Sequence, residues 1–470
     1  NDTIIFKGED NLHYEKFQDG TVKCIEDEIP FEVPEGWAWC KLNDIYNFID
    51  YRGATPTKIT NGIPLVTAKN VKSGYIDYTI DDYISEEEFK ERQQRGISKK
   101  GDILFTTEAP LGNAALADME KFSAGQRLIT FQQYGSKDEL INYVMLMFIL
   151  SDFFQQQLYV NKTGSTVAGI KAAILKTLWI PVPPYNEQLR ISNTLKSAIN
   201  LIDSISKNKE ILSTSISNTK SKILDLAIRG KIVPQDPNDE PASVLLERIR
   251  AEKEELIKQG KIKRDKKESV IFKGDDNSYY LRTGGVEESL EDWRFDDLPE
   301  TWKICCLWEL CDYGDCINVN TEDIAEDAWI LDLEDIEKDT GTVLKKVTKA
   351  QRNSVSTKHK FHSGQVLYSK LRPYLNKVVL SDADGYCTSE ILPLEFKNCV
   401  LPEYARYYLM SGTFIAYANH CSYGVKMPRL GTTDGKKAIF SLPPLSEQKR
   451  IVETIDFCFM QLNKISEALA

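Results

Sequence analysis

The sequence lacks the features that would place it in a membrane or outside the cell. No secretory signal opens the 470 residues, and the longest apolar run, INYVMLMFIL at 141–150, is about half of a membrane span. The ten cysteines have no regular spacing and include no CxxC pair, which favours reduced thiols over a disulfide framework or a zinc site. We therefore predict a cytoplasmic protein that has no membrane partner.

Motifs for catalysis are missing as well. VPPY at 182–185 is similar to an adenine-methyltransferase signature, but Val182 stands where a side chain must hydrogen-bond the adenine amino group, and valine cannot. GTTDGKK at 431–437 has the wrong spacing for a phosphate-binding loop and a lysine in place of the hydroxyl. His359 and His362 have no carboxylate partner in a metal-ligand pattern. The sequence predicts a chain with no catalytic residue and no metal.

Positive charge is scarce overall, because 59 lysines and arginines are set against 70 acidic residues and the net charge is −11. That balance argues against a protein that contacts nucleic acid over its whole surface. The bases are nevertheless concentrated after the acidic segment 321–340. The basic run, residues 341–381, contains no acidic residue and nine bases: Lys345, Lys346, Lys349, Arg352, Lys358, Lys360, Lys370, Arg372 and Lys377. It predicts either a phosphate-binding patch or a solvated face balanced by the acidic segment.

Two copies of one pattern run through the chain. IIFKGEDN at 4–11 returns as VIFKGDDN at 270–277. The longest repeat joins a strand-like run to a helix, as WIPVPPYNEQLRI at 179–191 and IFSLPPLSEQKRI at 439–451. A repeat of this length is a whole domain and not a solenoid unit. We therefore predict two copies of one domain, each leading into a helix.

The segment after the first copy has no glycine or proline between Asn186 and Ile228. Its apolar residues recur with heptad spacing, which predicts an imperfect coiled-coil helix of about 65 Å at 1.5 Å per residue. We expect Asn186 to cap this helix, Gly230 to end it and 231–241 to reverse the chain into a second helix. The second copy keeps the same phase, with Ser446 as its cap. The predicted seam consists of Leu195, Ile202, Ile205, Leu212, Ile216, Ile223, Ile455, Leu462 and Ile465.

The change of composition along the chain predicts an α+β protein. Two α+β domains would be separated by long antiparallel coiled-coil helices, with a pseudo-two-fold internal repeat. The expected segments are a connector at 1–30, a first domain at 31–184, a helical spacer at 185–268, a connector at 269–294, a second domain at 295–443 and a second, incomplete helix at 444–470.

Two of these segments carry a resemblance to a known family. The run ILDLAIRGKIVPQDPNDEPASVLLERIRAEKEEL at 223–256, together with GSTVAGIKAAILKTLWIPVPPYNEQLRI at 164–191 and its second copy, closely resembles the specificity subunit of type I restriction-modification systems. The resemblance extends over essentially the whole chain. It implies that 31–184 and 295–443 are target-recognition domains, each reading one half of a bipartite DNA site, with the helices as a conserved spacer. Because the basic run has no counterpart at 78–118, we expect the two half-sites to differ.

The resemblance also implies partners on double-stranded DNA. Two copies of an N6-adenine methyltransferase (M) subunit would bind the helical region, and restriction-translocase (R) subunits would join the larger complex. Catalysis would belong to those partners, so S-adenosylmethionine, ATP and Mg²⁺ are expected on them and not on this chain. The chain departs from the family pattern at its ends, because members commonly open with a helical stretch like 223–268 and Asn1 lies beyond such a stretch. The alternative function is a scaffold that does not read DNA, or a fragment of a single-chain DNA modification enzyme.

Candidate DNA contacts follow from residue type. Lysines suit phosphates, which set position without reading sequence, whereas Arg352 and Arg372 have the planar fork that takes guanine O6 and N7 together. Glu108, in the equivalent turn of the first domain, is either an acceptor for the cytosine amino group or a structural residue. The candidates are Arg95, Lys99, Lys100, Glu108, Arg127, Ser165, Thr166, Lys171, Lys345, Lys346, Lys349, Arg352, Lys358, Lys360, Lys370, Arg372, Tyr374, Lys377, Tyr423 and Lys426.

Overall fold

The computed structural model describes residues 3–51, 55–79, 81–135, 140–164, 168–261, 268–291, 297–352 and 355–469. The chain divides into two compact units, unit 1 from Asn1 to Ile205 and unit 2 from Ser206 to Ala470. Both units combine short strands with helices, so the predicted α+β class is confirmed. Among the described residues, no helix is long and apolar enough to cross a bilayer.

Unit 1 is built from an antiparallel meander followed by a mixed domain. Its strands are β1 Ile4–Lys7, β2 His13–Lys16, β3 Val22–Cys24, β4 Ala38–Lys41, β5 Tyr46–Asp50, β6 Ile63–Val66, β7 Tyr83–Ile84, β8 Ile103–Thr106, β9 Ala114–Leu116, β10 Ser123–Ala124, β11 Leu128–Gln133 and β12 Trp179–Val182. Its helices are α1 Leu42–Ile45, α2 Glu86–Arg92, α3 Asn142–Leu150, α4 Asp152–Val160, α5 Ala172–Leu175 and the first half of α6 Tyr185–Ala227.

The core of unit 1 lies between the antiparallel sheet β5-β11-β8-β9 and helices α3 and α4. The sheet carries a continuous apolar run because β8 is covered on both faces, and Phe105 of β8 lies 5.3 Å from Phe131 of β11 between ring centroids. Burial of each such ring contributes roughly 1.5–3 kcal/mol. The one buried hydroxyl at this sheet edge is satisfied, since Tyr46 donates to Asn142 Oδ1 at 2.9 Å.

Unit 2 repeats the plan with a larger second sheet. Its strands are β13 Ser269–Lys273, β14 Tyr279–Thr283, β15 Val286–Ser289, β16 Lys303–Cys306, β17 Ile317–Val319, β18 Trp329–Leu331, β19 Val347–Thr348, β20 Lys358–Phe361, β21 Val366–Ser369, β22 Val378–Leu380, β23 Gly385–Thr388, β24 Ile391–Leu394, β25 Ser422–Tyr423, β26 Arg429–Leu430 and β27 Ile439–Leu442. Its helices are the second half of α6, α7 Ala242–Lys258, α8 Leu307–Leu310, α9 Pro402–Leu409, α10 Gly412–His420, α11 Thr432–Lys437 and α12 Leu445–Leu469. The main sheets have the orders β17-β20-β23-β18-β19 and β22-β21-β24.

The strand before each long helix is paired in the same way in both units. In unit 1, β12 pairs antiparallel with β4, and Trp179 lies opposite Lys41. In unit 2, β27 pairs antiparallel with β16, and Ile439 lies opposite Cys306. Each pair of prolines after the strand then leads directly into a helix. The predicted internal repeat is therefore confirmed in three dimensions.

The start of each long helix is held by a glutamine that was not predicted from the sequence. Helices α6 and α12 begin at Tyr185 and Leu445, so the expected caps Asn186 and Ser446 lie inside the first turn, and that prediction was wrong. Gln188 instead accepts from the Ile141 backbone N–H at 2.7 Å. Gln448 does the same for Leu401 at 2.8 Å. Because both glutamines also donate to a proline carbonyl, each ties its helix to the preceding turn and to the domain.

The predicted seam is only partly buried. Ile216 and Ile455 are buried, and Leu195, Ile223 and Leu462 are half-buried. In contrast, the remaining seam residues expose about half of their surface or more: Ile202, Ile205, Leu212 and Ile465, at 60, 58, 40 and 46%. The middle of α6 thus presents apolar side chains that this chain itself does not cover.

The end of α6 and helix α12 run in opposite directions within unit 2. Ser441, just before α12, donates to the carbonyl of Ile228 at 2.9 Å, whereas Asn463 near the end of α12 accepts from Lys220 at 2.6 Å. The order of these contacts confirms the antiparallel arrangement. Helix α7 belongs to the same core, because Leu245 and Leu246 are buried in one cluster with Leu224 of α6, and its Lys253 lies 3.9 Å from the ring centroid of Trp308.

Candidate nucleic-acid interface

Each unit contains a turn in which a residue with positive φ precedes a proline. In unit 1, Ala109 has φ 47° and is followed by Pro110; in unit 2, Arg372 has φ 50° and is followed by Pro373. Positive φ is uncommon for residues other than glycine, and such residues concentrate at functional sites. A positive-φ residue before proline thus occurs at matching places after β8 and β21, although the peptide bond to proline is cis in unit 1 and trans in unit 2.

A second chain segment, the hairpin, lies against each turn. In unit 1 its described residues are 163–164 and 168–171, where Ile170 donates its N–H to the carbonyl of Thr107 at 3.0 Å. In unit 2 it is 423–431, where Leu430 donates to the carbonyl of Lys370 at 3.0 Å. Backbone bonds close each hairpin, between Thr163 and Gly169 in one and between β25 and β26 in the other. These contacts make position 169 the counterpart of 429.

The hairpin tip of unit 2 is strongly exposed. Tyr423, Val425, Lys426 and Met427 all lie on its surface, and Val425 is fully accessible to solvent. An aromatic ring, two apolar side chains and a lysine on one protruding hairpin can stack on bases, contact a thymine methyl and approach a phosphate. The predicted contacts Tyr423 and Lys426 thus occupy one surface. The predicted contacts of unit 1, Ser165 and Thr166, lie outside the described residues.

Each unit contains an ion pair between the sheet and a neighbouring loop. The arginine lies at the sheet and the glutamate in the turn in unit 1, whereas the arginine lies in the hairpin and the glutamate at the sheet in unit 2. In unit 1, Arg127 Nε lies 2.9 Å from Glu108 Oε1, a residue of the turn. In unit 2, Arg429 of the hairpin binds Glu390 in a bidentate way, with Nη2 to Oε1 at 2.9 Å and Nε to both oxygens at 3.1 Å. Glu390 occupies the position of Arg127, because their carbonyls accept from the matching residues Lys370 and Thr107 at 3.0 and 2.9 Å.

Arg429 and Glu390 were not among the predicted contacts. The signal that identifies them is the alignment of GSTVAGIK with YGVKMPRLG, which places Arg429 opposite Gly169. Residue type alone gave no reason to select them, since they lie outside the basic run. Glu108, predicted either as a base acceptor or as a structural residue, is engaged with Arg127.

Arg372 and Tyr374 lie together on the turn of unit 2. Arg372 is half-buried, and its Nε has no hydrogen-bond partner within the part of the chain that the structure describes. Its backbone N–H donates to the carbonyl of Pro428 at 2.7 Å, which attaches the turn to the hairpin. Tyr374 is half exposed beside it. This geometry is compatible with the predicted role of Arg372, in which its guanidinium contacts a base.

The basic run does not form one flat patch. Lys358 and Lys360 lie two residues apart on β20 and so share one face of the strand, but Lys358 is buried with Asp332 3.8 Å away, whereas Lys360 is exposed. Lys349 donates to the Ile324 carbonyl at 2.7 Å, and Lys377 donates to the Leu333 carbonyl at 2.6 Å. Burial lowers the pKa of Lys377. These three lysines hold loops of the domain in place.

Lys345, Lys346, Lys360 and Lys370 differ in how accessible they are. Lys345 and Lys360 are exposed, although Lys345 Nζ lies 3.7 Å from Asp335 Oδ1, whereas Lys370 is half-buried. Lys346 is exposed but contacts Asp382 at 2.7 Å. The lysines available for phosphate therefore form a smaller set than the sequence suggested, namely Lys345, Lys360 and, on the hairpin, Lys426.

Arg352 is enclosed by the acidic segment. Its Nη1 lies 2.6 Å from Asp332 and its Nη2 lies 2.5 Å from Asp335, a carboxylate with 0% exposure. Glu334 adds a third contact at 3.2 Å. Burial alone would lower the pKa of Arg352, but the hydrogen bonds and charges of Asp335 and Asp332 raise it. Arg352 therefore has a structural role. For this residue, the better interpretation of the basic run is that its charge is balanced by the acidic segment.

The remaining candidates in unit 1 are scattered. Arg95, Lys99 and Lys171 are exposed. Lys100 is exposed and paired with Glu120 at 2.8 Å. In the described part of unit 1, the candidates that contact each other are Glu108 of the turn and Arg127, which precedes β11. A basic surface comparable with the run of unit 2 is not formed.

The histidines have local partners. His359 is buried with Nδ1 2.8 Å from the Ile391 carbonyl, and burial lowers its pKa. His362 contacts Glu395 at 2.8 Å. Over the residues that the structure describes, no group of three or more histidines, cysteines and acids is placed to hold a metal ion.

Known proteins share this chain's sequence and fold. The family described as Type I restriction modification DNA specificity domain matches twice, at residues 34–213 and 299–468. The chain is 26% identical to the Type I restriction enzyme EcoAI specificity subunit of Escherichia coli, over 94% of this chain and 80% of that one. It is 24% identical to the EcoEI specificity subunit of Escherichia coli, over 97% of this chain and 83% of that one.

Solved structures share the fold. The HsdS subunit from Thermoanaerobacter tengcongensis matches with a TM-score of 0.51 and 16% identity, over 94% of this chain and 93% of that one. A chain from a study of complex assembly and conformational transition of the type I R-M system matches with a TM-score of 0.55 and 16% identity, over 94% of both chains. Each match extends over both units of the present chain.

Proposed function

Because this chain belongs to the type I restriction modification DNA specificity domain family and contains the domain twice, we propose that it is the DNA-reading specificity subunit of a type I restriction-modification complex. Each unit reads one half of a bipartite target. The family match does not support the alternative of a scaffold without DNA reading or a fragment of a modification enzyme.

The observation that carries this proposal is the repeated turn and hairpin. Both units present a similar backbone frame, with a positive-φ residue before proline and a hairpin bonded to the turn, although the peptide bond before the proline is cis in unit 1 and trans in unit 2. The side chains on the two frames differ, since Arg372 corresponds to Ala109 and Arg429 to Gly169. A shared frame with different exposed side chains is what two readers of different sequences require. The target is therefore asymmetric.

Partners supply the chemistry in this proposal. Two M subunits bind the helical region, R subunits join them, and S-adenosylmethionine, ATP and Mg²⁺ are bound by those subunits. The uncovered apolar seam in the middle of α6, which includes Ile202 and Ile205, is a suitable contact for M subunits. The acidic total of this chain is compatible with DNA binding because the basic partners contribute to the local field.

Co-expression tests this proposal directly. We expect the chain, purified with its cognate methyltransferase subunit, to direct adenine methylation to one asymmetric, two-part motif, and the chain alone to bind neither S-adenosylmethionine nor ATP in calorimetric titrations. Single-molecule sequencing of genomic DNA identifies the motif. A palindromic motif, or methylation that is the same with and without this chain, would contradict the proposed function.

Replacement of the exposed lysines tests how the complex holds DNA. With Lys345, Lys360 and Lys426 changed together to glutamine, affinity should fall at all sequences, because phosphate contacts carry no sequence information. The dependence of log K on log salt should become shallower by up to about one unit per lost contact. Fluorescence anisotropy at several salt concentrations measures both effects.

The matched control changes three exposed lysines on the meanders. They lie on β1, β2 and β13, namely Lys7, Lys16 and Lys273. This variant removes the same charge, so it separates local contacts from the effect of net charge. If both triple variants lose the same affinity and the same salt slope, the basic run and hairpin are not a phosphate-binding surface.

A further inference from the structure

The ion pair between Arg429 and Glu390 has a geometry that suits base reading. Arg429 carries five N–H groups, and the described residues engage three of them: Nε–H and one Nη2–H with Glu390, and one Nη1–H with the Met427 carbonyl at 3.3 Å. One N–H remains on each of Nη1 and Nη2. Nη1 and Nη2 form the end of the guanidinium beyond the edge that binds Glu390, and the end of an arginine can donate to guanine O6 and N7 together.

The carboxylate fixes the orientation of this fork. Arg429 and Glu390 expose about a third and a quarter of their side chains, so the pair is accessible but not freely mobile. A carboxylate that binds the Nε edge leaves the guanidinium plane little freedom to rotate. An arginine held in this way loses less side-chain entropy when it binds a base than a freely solvated one.

Unit 1 also contains an arginine–glutamate pair, in which the glutamate belongs to the turn. Arg127 adopts φ 66°, a region that non-glycine residues rarely occupy, and its Nε edge contacts Glu108 of the turn. The arginine therefore projects from the sheet in unit 1 and from the hairpin in unit 2. The carboxylate lies in the turn in unit 1 and at the sheet in unit 2.

We propose that Arg429 supported by Glu390, and Arg127 supported by Glu108, are specificity-determining residues that each read a guanine, one in each half-site. This inference rests on the proposed function and deepens it. Because the guanidinium projects from different places on one frame, the two guanines occupy different positions relative to the turn in their respective half-sites. Each half-site thus contains a G·C pair that faces this couple.

The experiment uses the complete complex with its methyltransferase subunit and maps methylated motifs by sequencing. We expect Arg429→Lys to relax one G·C position in one half-site, because lysine keeps the charge but lacks the fork. Methylation at the other three base pairs should rise relative to G·C by roughly 5- to 150-fold, the factor that corresponds to about 1–3 kcal/mol for a bidentate contact. Arg127→Lys should relax one position in the other half-site only.

Two further variants separate the loss of a base contact from a general effect of substitution. Glu390→Gln retains the shape of the support without its charge, and should relax the same position as Arg429→Lys to a smaller extent. Arg282→Lys is the matched control, because Arg282 forms an exposed pair with Glu287 on the meander of unit 2, with Nη2 2.7 Å from Oε1. It should leave the motif unchanged.

Four results would overturn the inference. A wild-type half-site without a G·C pair contradicts it at once, and so does an unchanged motif in Arg429→Lys when the complex still methylates. Relaxation of both half-sites by a single variant would mean that the substitution disturbs assembly and not base reading. A wild-type complex with no defined motif would overturn the proposed function itself, and this inference with it.

Discussion

Replacing Arg352 by alanine is expected to destabilise unit 2 by about 3–5 kcal/mol, the typical cost of removing one partner from a buried ion pair. Asp335 has no exposed surface and Asp332 is mostly covered, so both carboxylates would remain in the interior with the more distant Lys345 and Lys358, at 3.7 and 3.8 Å, as counter-charges. Urea denaturation followed by far-UV circular dichroism measures the loss.

The control for this prediction is Lys346→Ala. Lys346 belongs to the same basic run, but its pair with Asp382 is exposed on both sides, at 47 and 70%. Exposed pairs contribute at most about 1 kcal/mol, so this variant should unfold close to the wild type. If the two variants lose equal stability, Arg352 is a solvated charge and its acidic surroundings have no structural effect. DNA binding by Arg352→Ala should decline only in proportion to the unfolded fraction.

A seven-residue insertion after Lys207 is expected to lengthen the spacer between the two half-sites by about three base pairs. Seven residues keep the heptad phase and add roughly 10 Å of helix at 1.5 Å per residue, against about 3.4 Å of DNA axis per base pair. The insertion lies in the exposed part of α6, between Ile205 and Leu212, and so avoids the buried Ile216. Methylation mapping of the variant complex gives the new spacer length, since geometry sets half-site separation in two-headed DNA readers.

A five-residue insertion at the same place is the control. It turns the following part of the helix by about 140° relative to the preceding part, at 3.6 residues per turn, and divides the apolar seam between two faces. We expect this variant to lose assembly with the methyltransferase subunit in a pull-down, whereas the seven-residue variant assembles. An unaltered spacer in a seven-residue variant that still methylates would show that α6 does not set the distance.

The repeat and the long helix were predictable because they are written in local sequence patterns. Heptad spacing from Leu195 to Ile223 predicts a helix irrespective of its surroundings, and the repeated strand, double proline and helix motif predicts two domains of one plan. The cap assignment failed for a related reason. Asn186 is a good cap by residue type, but Gln188 reaches a backbone group at Ile141, far away in sequence.

The basic run shows the limit of composition. Nine bases in forty-one consecutive positions predict a positive patch, but contacts with neighbouring loops hold Lys349, Lys358 and Lys377 inward. Their partners are backbone carbonyls and the acidic segment. A count of charges along the chain cannot separate a lysine that holds a loop from a lysine that meets solvent, because the two differ only in what the folded chain places beside them.

The sequence by itself determined the α+β class, the two copies, the long helix and the resemblance to a specificity subunit, since each depends on periodicity or on a contiguous motif. Only the tertiary structure decided which charged residues face one another. Arg429 and Glu390 are 39 positions apart, and Arg127 meets Glu108 across a turn. The physical reason is that an ion pair depends on a distance of a few ångströms between side chains, and that distance exists only after strands and hairpins distant in sequence have paired.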